Sequence, residues 1–256
     1  MIDPAQALSG FAVGAVVGLT GVGGGSLMTP LLMLLFGIHP ATAVGTDLLH
    51  AAVTKAGGTY VHARHGRVEW RITGLLAAGS LPAAVATLWG LHRYTQGLGG
   101  SKVITVTLGI ALLLTAAALA LRTHLRRFSK IHGPDIPRHP AFTVITGAVL
   151  GIVVSLSSVG AGALGITALL FLYPRLPATR IVASDLAHAV PLTLVAGLGH
   201  WLYGSVDFRL LGSLLVGSLP GIYLGSHFAG RIPETILRFL LAIMLVLVGT
   251  KLIAVS

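Results

Sequence analysis

Long apolar stretches dominate this chain and decide what it can fold into. They lie at about 8–36, 41–63, 70–90, 102–121, 141–173, 179–203, 209–229 and 235–255. Most reach the roughly 20 residues that a helix needs to cross a bilayer. Lipid offers nothing to an unpaired backbone N–H or C=O, so these stretches are expected as helices, or as breaks in helices covered by protein. A β-barrel needs polar residues alternating along each strand, and runs such as Ala111 to Leu121 lack that alternation. Of the 256 residues, 54% are hydrophobic and only 9% charged, against about 25% charged in a soluble domain. So few charges cannot clothe a water-facing surface, which excludes a soluble globular enzyme, a disordered tail and a coiled coil. The expected fold class is an all-α polytopic membrane protein.

The net charge of +10 invites a nucleic-acid partner. That reading is rejected, because the charge sits in short loops between apolar runs, as it does in proteins that orient themselves in a bilayer. The chain has no Cys, so disulfides, thiolate chemistry and Cys-based metal sites are excluded. Nothing calls for a cofactor or a resident metal. The opening Met-Ile-Asp-Pro puts no basic residue ahead of the first apolar run, unlike a cleaved signal peptide.

The chain repeats itself. Val22-Gly23-Gly24-Gly25-Ser26-Leu27 matches Val159-Gly160-Ala161-Gly162-Ala163-Leu164, and Pro40-Ala41-Thr42 matches Pro177-Ala178-Thr179. Asp47, His50 and His62 match Asp185, His188 and His200, and Gly66-x-Val68 matches Gly204-x-Val206. Gly79-Ser80-Leu81-Pro82 returns unchanged as Gly217-Ser218-Leu219-Pro220. The offset is 137 before a one-residue insertion and 138 after it. Matching polar, Gly and Pro positions at one nearly constant offset set aside chance similarity between apolar helices. The expected organisation is a first transmembrane repeat at 1–121, a basic cytoplasmic linker at 122–140 carrying Arg122, Arg126, Arg127, Lys130 and Arg138, and a second transmembrane repeat at 141–256.

The first stretch of each repeat is too long for one crossing. As a single helix, 8–36 would extend about 43 Å, against a hydrocarbon core of about 30 Å. The run Gly21-Val22-Gly23-Gly24-Gly25 breaks it near the middle, and Ser157 to Gly162 breaks 141–173. Each piece then spans about half the membrane. Either the broken helix crosses, giving eight spans and parallel repeats, or it is re-entrant and three full spans follow, giving inverted repeats. The inverted layout puts 12 Lys and Arg inside and four outside, against 10 and six for the parallel one. The positive-inside rule therefore favours two homologous halves as inverted repeats, each a glycine-broken re-entrant helix followed by three transmembrane helices.

A glycine cluster at membrane depth exposes backbone amides, and the helix after it points its positive N-terminal end at the break. That arrangement suits an anion. The candidate binding residues are Thr20, Gly21, Gly23, Gly24, Gly25 and Ser26 in the first repeat, and Ser155, Ser157, Ser158, Gly160 and Gly162 in the second. Close helix packing through small residues is the competing explanation for such glycines. On the next helix, Asp47, His50, Thr54, Gly58 and His62 fall within about a third of the circumference. Asp185, His188 and His200 repeat that stripe, kinked by Pro191. Intramembrane ionisable groups are expensive and mark function, so Asp47, His50, Asp185 and His188 are candidates for proton or ion coupling. Thr46-Asp47 and Ser184-Asp185 also read as helix N-caps, and each histidine also reads as a packing residue. Lys55 lies at the stripe's margin, with Thr193 in its place in the second repeat. It serves either an anion or one of the aspartates.

Two rival classes deserve comparison. Eleven His residues suggest a cation or metal carrier using the Asp–His stripes, but no tight ligand spacing appears. Ser157-Ser158 with membrane histidines would allow an intramembrane hydrolase, yet no Gly-x-Ser-x-Gly elbow is present. The string Gly-x-Gly-Gly-Gly-x-Leu-x-x-Pro-Leu-Leu at 21–32 resembles the sulfite exporter TauE/SafE family. So do Gly37-x-x-Pro40-x-x-Ala43-Val44-Gly45-Thr46, Lys55-x-x-Gly58, the turn from His62 to Val68, and Gly79-Ser80-Leu81-Pro82. The resemblance runs from about 8 to 254, and the second half keeps only Val-Gly-x-Gly of the glycine motif. It implies a secondary transporter of the bacterial inner membrane, not an enzyme, exporting a small sulfur-containing anion such as sulfite or an organosulfonate. The sequence leaves oligomeric state open, a homodimer included.

Overall fold

The structure is a computed structural model that describes residues 3–20, 25–95, 100–132, 140–160, 162–228 and 234–255. Among these the chain forms ten helices and no strand. They are α1 (Pro4–Thr20), α2 (Gly25–Phe36), α3 (Pro40–Arg64), α4 (Trp70–Thr95), α5 (Gly100–His132), α6 (Pro140–Ser157), α7 (Ala163–Leu172), α8 (Ala178–Leu202), α9 (Phe208–Phe228) and α10 (Glu234–Val255). Each apolar stretch of the sequence is one helix, except 8–36 and 141–173, which are two. Segments 70–93, 102–121, 140–157, 178–202 and 208–225 are long and apolar enough to cross a membrane. α3 has the length, 25 residues, but it carries Asp47, His50, Lys55 and His62. Ile110, Leu114, Ile145, Val149, Val216 and Leu247 stand exposed on the outside, a surface that suits lipid tails.

Two features differ from expectation. The breaks do not lie midway. α1 has 17 residues and α6 has 18, about 26 and 27 Å, close to the full hydrocarbon thickness. Only α2 and α7, with 12 and 10 residues, are half-spans of about 18 and 15 Å. α1 is longer than its apolar run because it starts at Pro4, a residue suited to the first turn of a helix. The basic segment 122–140 is also not all loop, since α5 continues to His132.

Short turns repeat with the sequence. Gly66 and Gly204 both take the left-handed conformation, φ +61° and +73°. The next amide bonds back in the same way, Arg67 N–H to His62 C=O at 3.1 Å and Ser205 N–H to His200 C=O at 2.8 Å. Only glycine adopts that conformation without strain, so the His-x-x-x-Gly string marks where the second long helix of each repeat stops.

The order in which helices touch gives their directions. Gly45 lies beside His200, Leu49 beside Gly197, and Gly58 beside Leu186, so α3 and α8 are antiparallel. Thr73 bonds Ser184 and Ser80 bonds His188, so α4 runs parallel to α8. Asp207 bonds Thr46 and Ser218 bonds His50, so α9 runs parallel to α3. α1 lies parallel on α9, Gly10 against Leu214 and Gly14 against Ser218, and α6 lies parallel on α4, Gly147 against Leu76 and Gly151 against Ser80. α1 and α3 therefore point the same way, and α2, which joins the end of one to the start of the other, must run back. α7 returns likewise between α6 and α8, which point opposite to α1 and α3. The first arm of each interrupted helix packs on the other repeat through glycines whose missing side chains let the backbones approach.

Candidate functional site

The two interruptions fall at one place in the repeat. α1 stops at Thr20 and α6 at Ser157, and α2 opens at Gly25 and α7 just after Gly162. Gly21, Gly23 and Gly24 lie outside the described residues. Thr20 ends α1, and Gly25 and Ser26 open α2. The second break shows its construction. Ser158 is left-handed at φ 58°, and Gly160 and Gly162 sit at φ +116° and +136°, conformations that favour glycine. Holding a serine there costs strain, which persists where the surroundings impose it. The Ser157 hydroxyl is used by the break itself, donating to the Val153 carbonyl at 2.6 Å and accepting the Val159 amide at 3.1 Å. The Ser155 and Ser158 hydroxyls are buried and have no hydrogen-bond partner. Gly165 and Ile166 donate back to the Gly160 and Gly162 carbonyls. Ala163 and Leu164 open α7 without a capping side chain, at the positions where the first amides of a helix have no acceptor within it.

The stripe on the next helix is buried. Asp47, His50, Asp185, His188 and His200 are each at most 3% exposed. The capping reading is corrected: Asp47 and Asp185 lie well inside α3 and α8, which begin at Pro40 and Ala178. Proline at 40 and 177 sets both starts two turns earlier. Each aspartate instead leans on the return helix of its own repeat. The Thr29 hydroxyl in α2 donates to Asp47 Oδ2 at 2.5 Å. Asp185 Oδ1 lies so close to Gly165 in α7 that a β-carbon there would overlap it. Both contacts fall within the first five residues of the return helix, its positive end, where a carboxylate is favoured. His50 Nδ1 faces Asp47 Oδ1 at 3.7 Å, and His50 Nε2 meets Ser218 Oγ at 2.7 Å. In the second repeat His188 Nε2 meets Ser80 Oγ at 2.8 Å.

Other stripe residues take structural places. Thr54 donates to the His50 carbonyl at 2.9 Å, and Gly58 packs on Leu186. His62 is half-buried at the end of α3, whereas its counterpart His200 donates from Nε2 to the Ser155 carbonyl at 2.9 Å. α8 runs unbroken through Pro191. Lys55 is 5% exposed and lies within electrostatic reach of Asp47, Asp185 and His188. Its side chain is thus felt by acidic residues of both stripes. Thr29, Ser80 and Ser218 were not singled out as site residues by sequence. Ser80 and Ser218 carried a signal, since their string recurs unchanged, but Thr29 has Ile166 in its place and carried none. Among the described residues no three His, Asp or Glu converge to hold a metal ion, and no histidine nitrogen meets the Ser157 or Ser158 hydroxyl.

The interrupted helices, the buried ionisable stripes and the lipid-suited exterior together describe a machine for passing a solute through a membrane. Known proteins agree. The chain is 38% identical over 250 residues to the probable membrane transporter protein YjnA of Bacillus subtilis, covering 96% of this chain and 98% of the relative. It is 29% identical over 229 residues to the probable membrane transporter protein YdhB of the same organism, covering 89% and 91%. It is 24% identical over 264 residues to the probable membrane transporter protein MJ0441 of Methanocaldococcus jannaschii, covering 97% and 94%. No solved structure matches the chain significantly. The sequence pattern of one family, described as sulfite exporter TauE/SafE, fits residues 6–252, so this multi-pass membrane protein belongs to the sulfite exporter TauE/SafE family of membrane transporters.

Proposed function

We propose that the protein exports sulfite, or a related small organosulfonate anion, across the bacterial inner membrane by alternating access, coupled to protons. The observation that carries the reading is the second helix break. There Ala163 and Leu164 open α7 without a capping side chain, and the unpartnered Ser158 hydroxyl precedes them in the chain; the positive end of a helix favours an anion. The first break, by the repeat, supplies a second such end. Inverted repeats are part of the proposal. Their support is that α3 and α8, equivalent in the repeat, run antiparallel. Each repeat then enters the bilayer from its own side.

Coupling follows from where the aspartates sit. An incoming anion meets the Asp185 carboxylate at the head of α7, and two negative charges in so dry a place repel strongly. A proton taken up by the Asp–His group removes that repulsion, so proton and anion bind together. Lys55 adds a basic side chain within reach of both stripes. A sulfite dianion carried with one proton keeps one net negative charge, which a membrane potential negative inside drives outward by about 2.3 kcal/mol per 100 mV, and this supports export.

The test is flux of labelled sulfite in proteoliposomes at controlled pH and potential. The expected result is saturable, pH-dependent sulfite movement that Gly162→Val abolishes while the protein still inserts. Wild-type vesicles no more permeable to sulfite than empty ones would overturn the substrate assignment. Undiminished flux in the Gly162 variant would overturn the site.

A further inference from the structure

Ser80 and Ser218 have no part in the transport reading so far. Both are fully buried inside helices. A serine or threonine there usually turns its hydroxyl to the carbonyl one turn back, as Ser213 does to Arg209 and Thr87 to Ala83. Ser80 and Ser218 instead reach across the repeat boundary. Ser218, in the second repeat, meets Nε2 of His50 in the first, and Ser80, in the first, meets Nε2 of His188 in the second. The other ring nitrogen, Nδ1, is buried in both histidines without a hydrogen-bond partner. So is Oδ1 of the aspartate three residues earlier, Asp47 in one repeat and Asp185 in the other. Buried polar atoms normally find partners. Four orphans, matched pairwise by the repeat, point to a small mobile species that fills both places in turn, and the proton is the one that fits.

The serine suits that traffic because a hydroxyl both donates and accepts. With the imidazole neutral and its hydrogen on Nδ1 toward the aspartate, the serine O–H donates to Nε2. When a second proton arrives, Nε2–H donates to the same oxygen, and the serine hydrogen swings to a carbonyl of its own helix. The imidazolium then faces the carboxylate, and Nε2 is never unpaired. Alanine serves neither state; threonine serves both.

We propose that Ser80 and Ser218 are positioning residues for two proton-carrying Asp–His pairs, Asp185–His188 and Asp47–His50, each serine orienting the imidazole of the opposite repeat. This rests on the proton-coupled reading above. The charged surroundings are few. His50 is faced by Asp47 on its own helix, with His200 of α8 a turn away beside Gly45, and with Asp207 and Arg209 at the head of α9. His188 follows Asp185 by three residues on its own helix and is within electrostatic reach of Lys55 from α3, with Glu69 and Arg71 at the head of α4. α2, α6 and α7 carry no charged side chain, and α5 carries charge only at its ends.

The test reads the histidines directly. The purified protein is labelled with 15N-histidine, the signals of His50 and His188 are assigned with H50Q and H188Q, and both are titrated between about pH 4 and pH 9. In the wild type both imidazoles change protonation. S218A alters the tautomer of His50 and moves its midpoint by roughly half a pH unit or more, leaving His188 in place; S80A does the reverse. S218T and S80T restore wild-type behaviour. Ser→Cys, which keeps volume with a weaker hydrogen bond, shifts the same histidine less and covers the case of an alanine variant that fails to fold. In vesicles, the pH profile of labelled sulfite flux moves with the histidine midpoints. Histidines that hold one protonation state throughout, or serine variants that leave the opposite histidine unmoved, overturn the proposal. Crosswise shifts with no wild-type sulfite flux would sink the substrate reading alone. Flux with unmoved histidines would sink the positioning role alone.

Discussion

Gly14 of α1 lies against the backbone of Ser218 in α9, so close that a β-carbon on the glycine would overlap the serine carbonyl oxygen. The repeat reproduces the contact, with Gly151 of α6 on the Ser80 carbonyl. The first arm of each interrupted helix therefore rests on the residue that holds a histidine of the stripe, Ser218 on His50 and Ser80 on His188. Two contacts thus join each first arm to a histidine of the stripe.

Gly14→Ala and Gly151→Ala are expected to separate tightly packed backbones. Overpacking of this kind costs about 1–3 kcal/mol, or about 2–4 °C in unfolding midpoint for each kcal/mol in a chain of this size. Thermal unfolding in detergent, followed by tryptophan fluorescence, measures it. Gly74→Ala is the control: nothing lies within 4 Å of a β-carbon there, and alanine in a helix is favoured over glycine by up to about 1 kcal/mol. Equal midpoints for Gly74→Ala and Gly151→Ala would remove the packing argument.

Thr29→Val keeps the side-chain volume and removes the hydroxyl that Asp47 Oδ2 accepts at 2.5 Å. A buried carboxylate oxygen then loses its partner, at a cost of about 1–3 kcal/mol. Thr29→Ser should keep the bond and lose little. Midpoints in the same unfolding assay decide it, and a Thr29→Val protein as stable as the wild type would mean that the bond contributes nothing.

What the sequence disclosed and what it hid have a common physical cause. Breaks, spans and stripes are properties of one helix each, and glycine runs, apolar length and charge at helical spacing report them directly. Partners on other helices leave no such trace. Gly10 and Gly14 show that α1 has a face made for close approach, as Gly217, Gly221 and Gly225 show for α9, but no periodicity says that these faces meet. Thr29 is one more hydroxyl in an apolar helix until Asp47 is seen beside it. The cap reading of Asp47 and Asp185 failed because Thr-Asp and Ser-Asp look alike at a helix start and inside one. The prolines at 40 and 177 were the better signal, since they begin these helices without any capping side chain.

Lys55 separates an electrostatic role from mere bulk. Lys55→Met removes the cation from a site that Asp47 and Asp185 both feel. Breaking a buried charge set by removing one member costs about 3–5 kcal/mol. Removing a carboxylate as well, in Lys55→Met/Asp185→Asn, should recover much of that loss. Sulfite flux should stay low in both, because the fixed positive charge is gone. A double-mutant cycle of unfolding midpoints measures the coupling, and strictly additive losses would mean that Lys55 and Asp185 act independently.

The absence of cysteine from the chain makes the inverted layout directly testable. His65 and Tyr203 occupy equivalent places in the repeat, each capping the end of its helix just before the left-handed glycine, and both are exposed. α3 and α8 run antiparallel, so inverted repeats put these two caps on opposite sides of the membrane. His65→Cys and Tyr203→Cys, made singly, should react with an impermeant maleimide from opposite faces of right-side-out and inside-out vesicles. The charge pattern assigns His65 to the cytoplasmic face, beside Arg64, Arg67 and Arg71. Labelling of both cysteines from the same face would require α3 and α8 to cross the bilayer in one direction, which their contacts forbid, and the arrangement of the two breaks would fall with it.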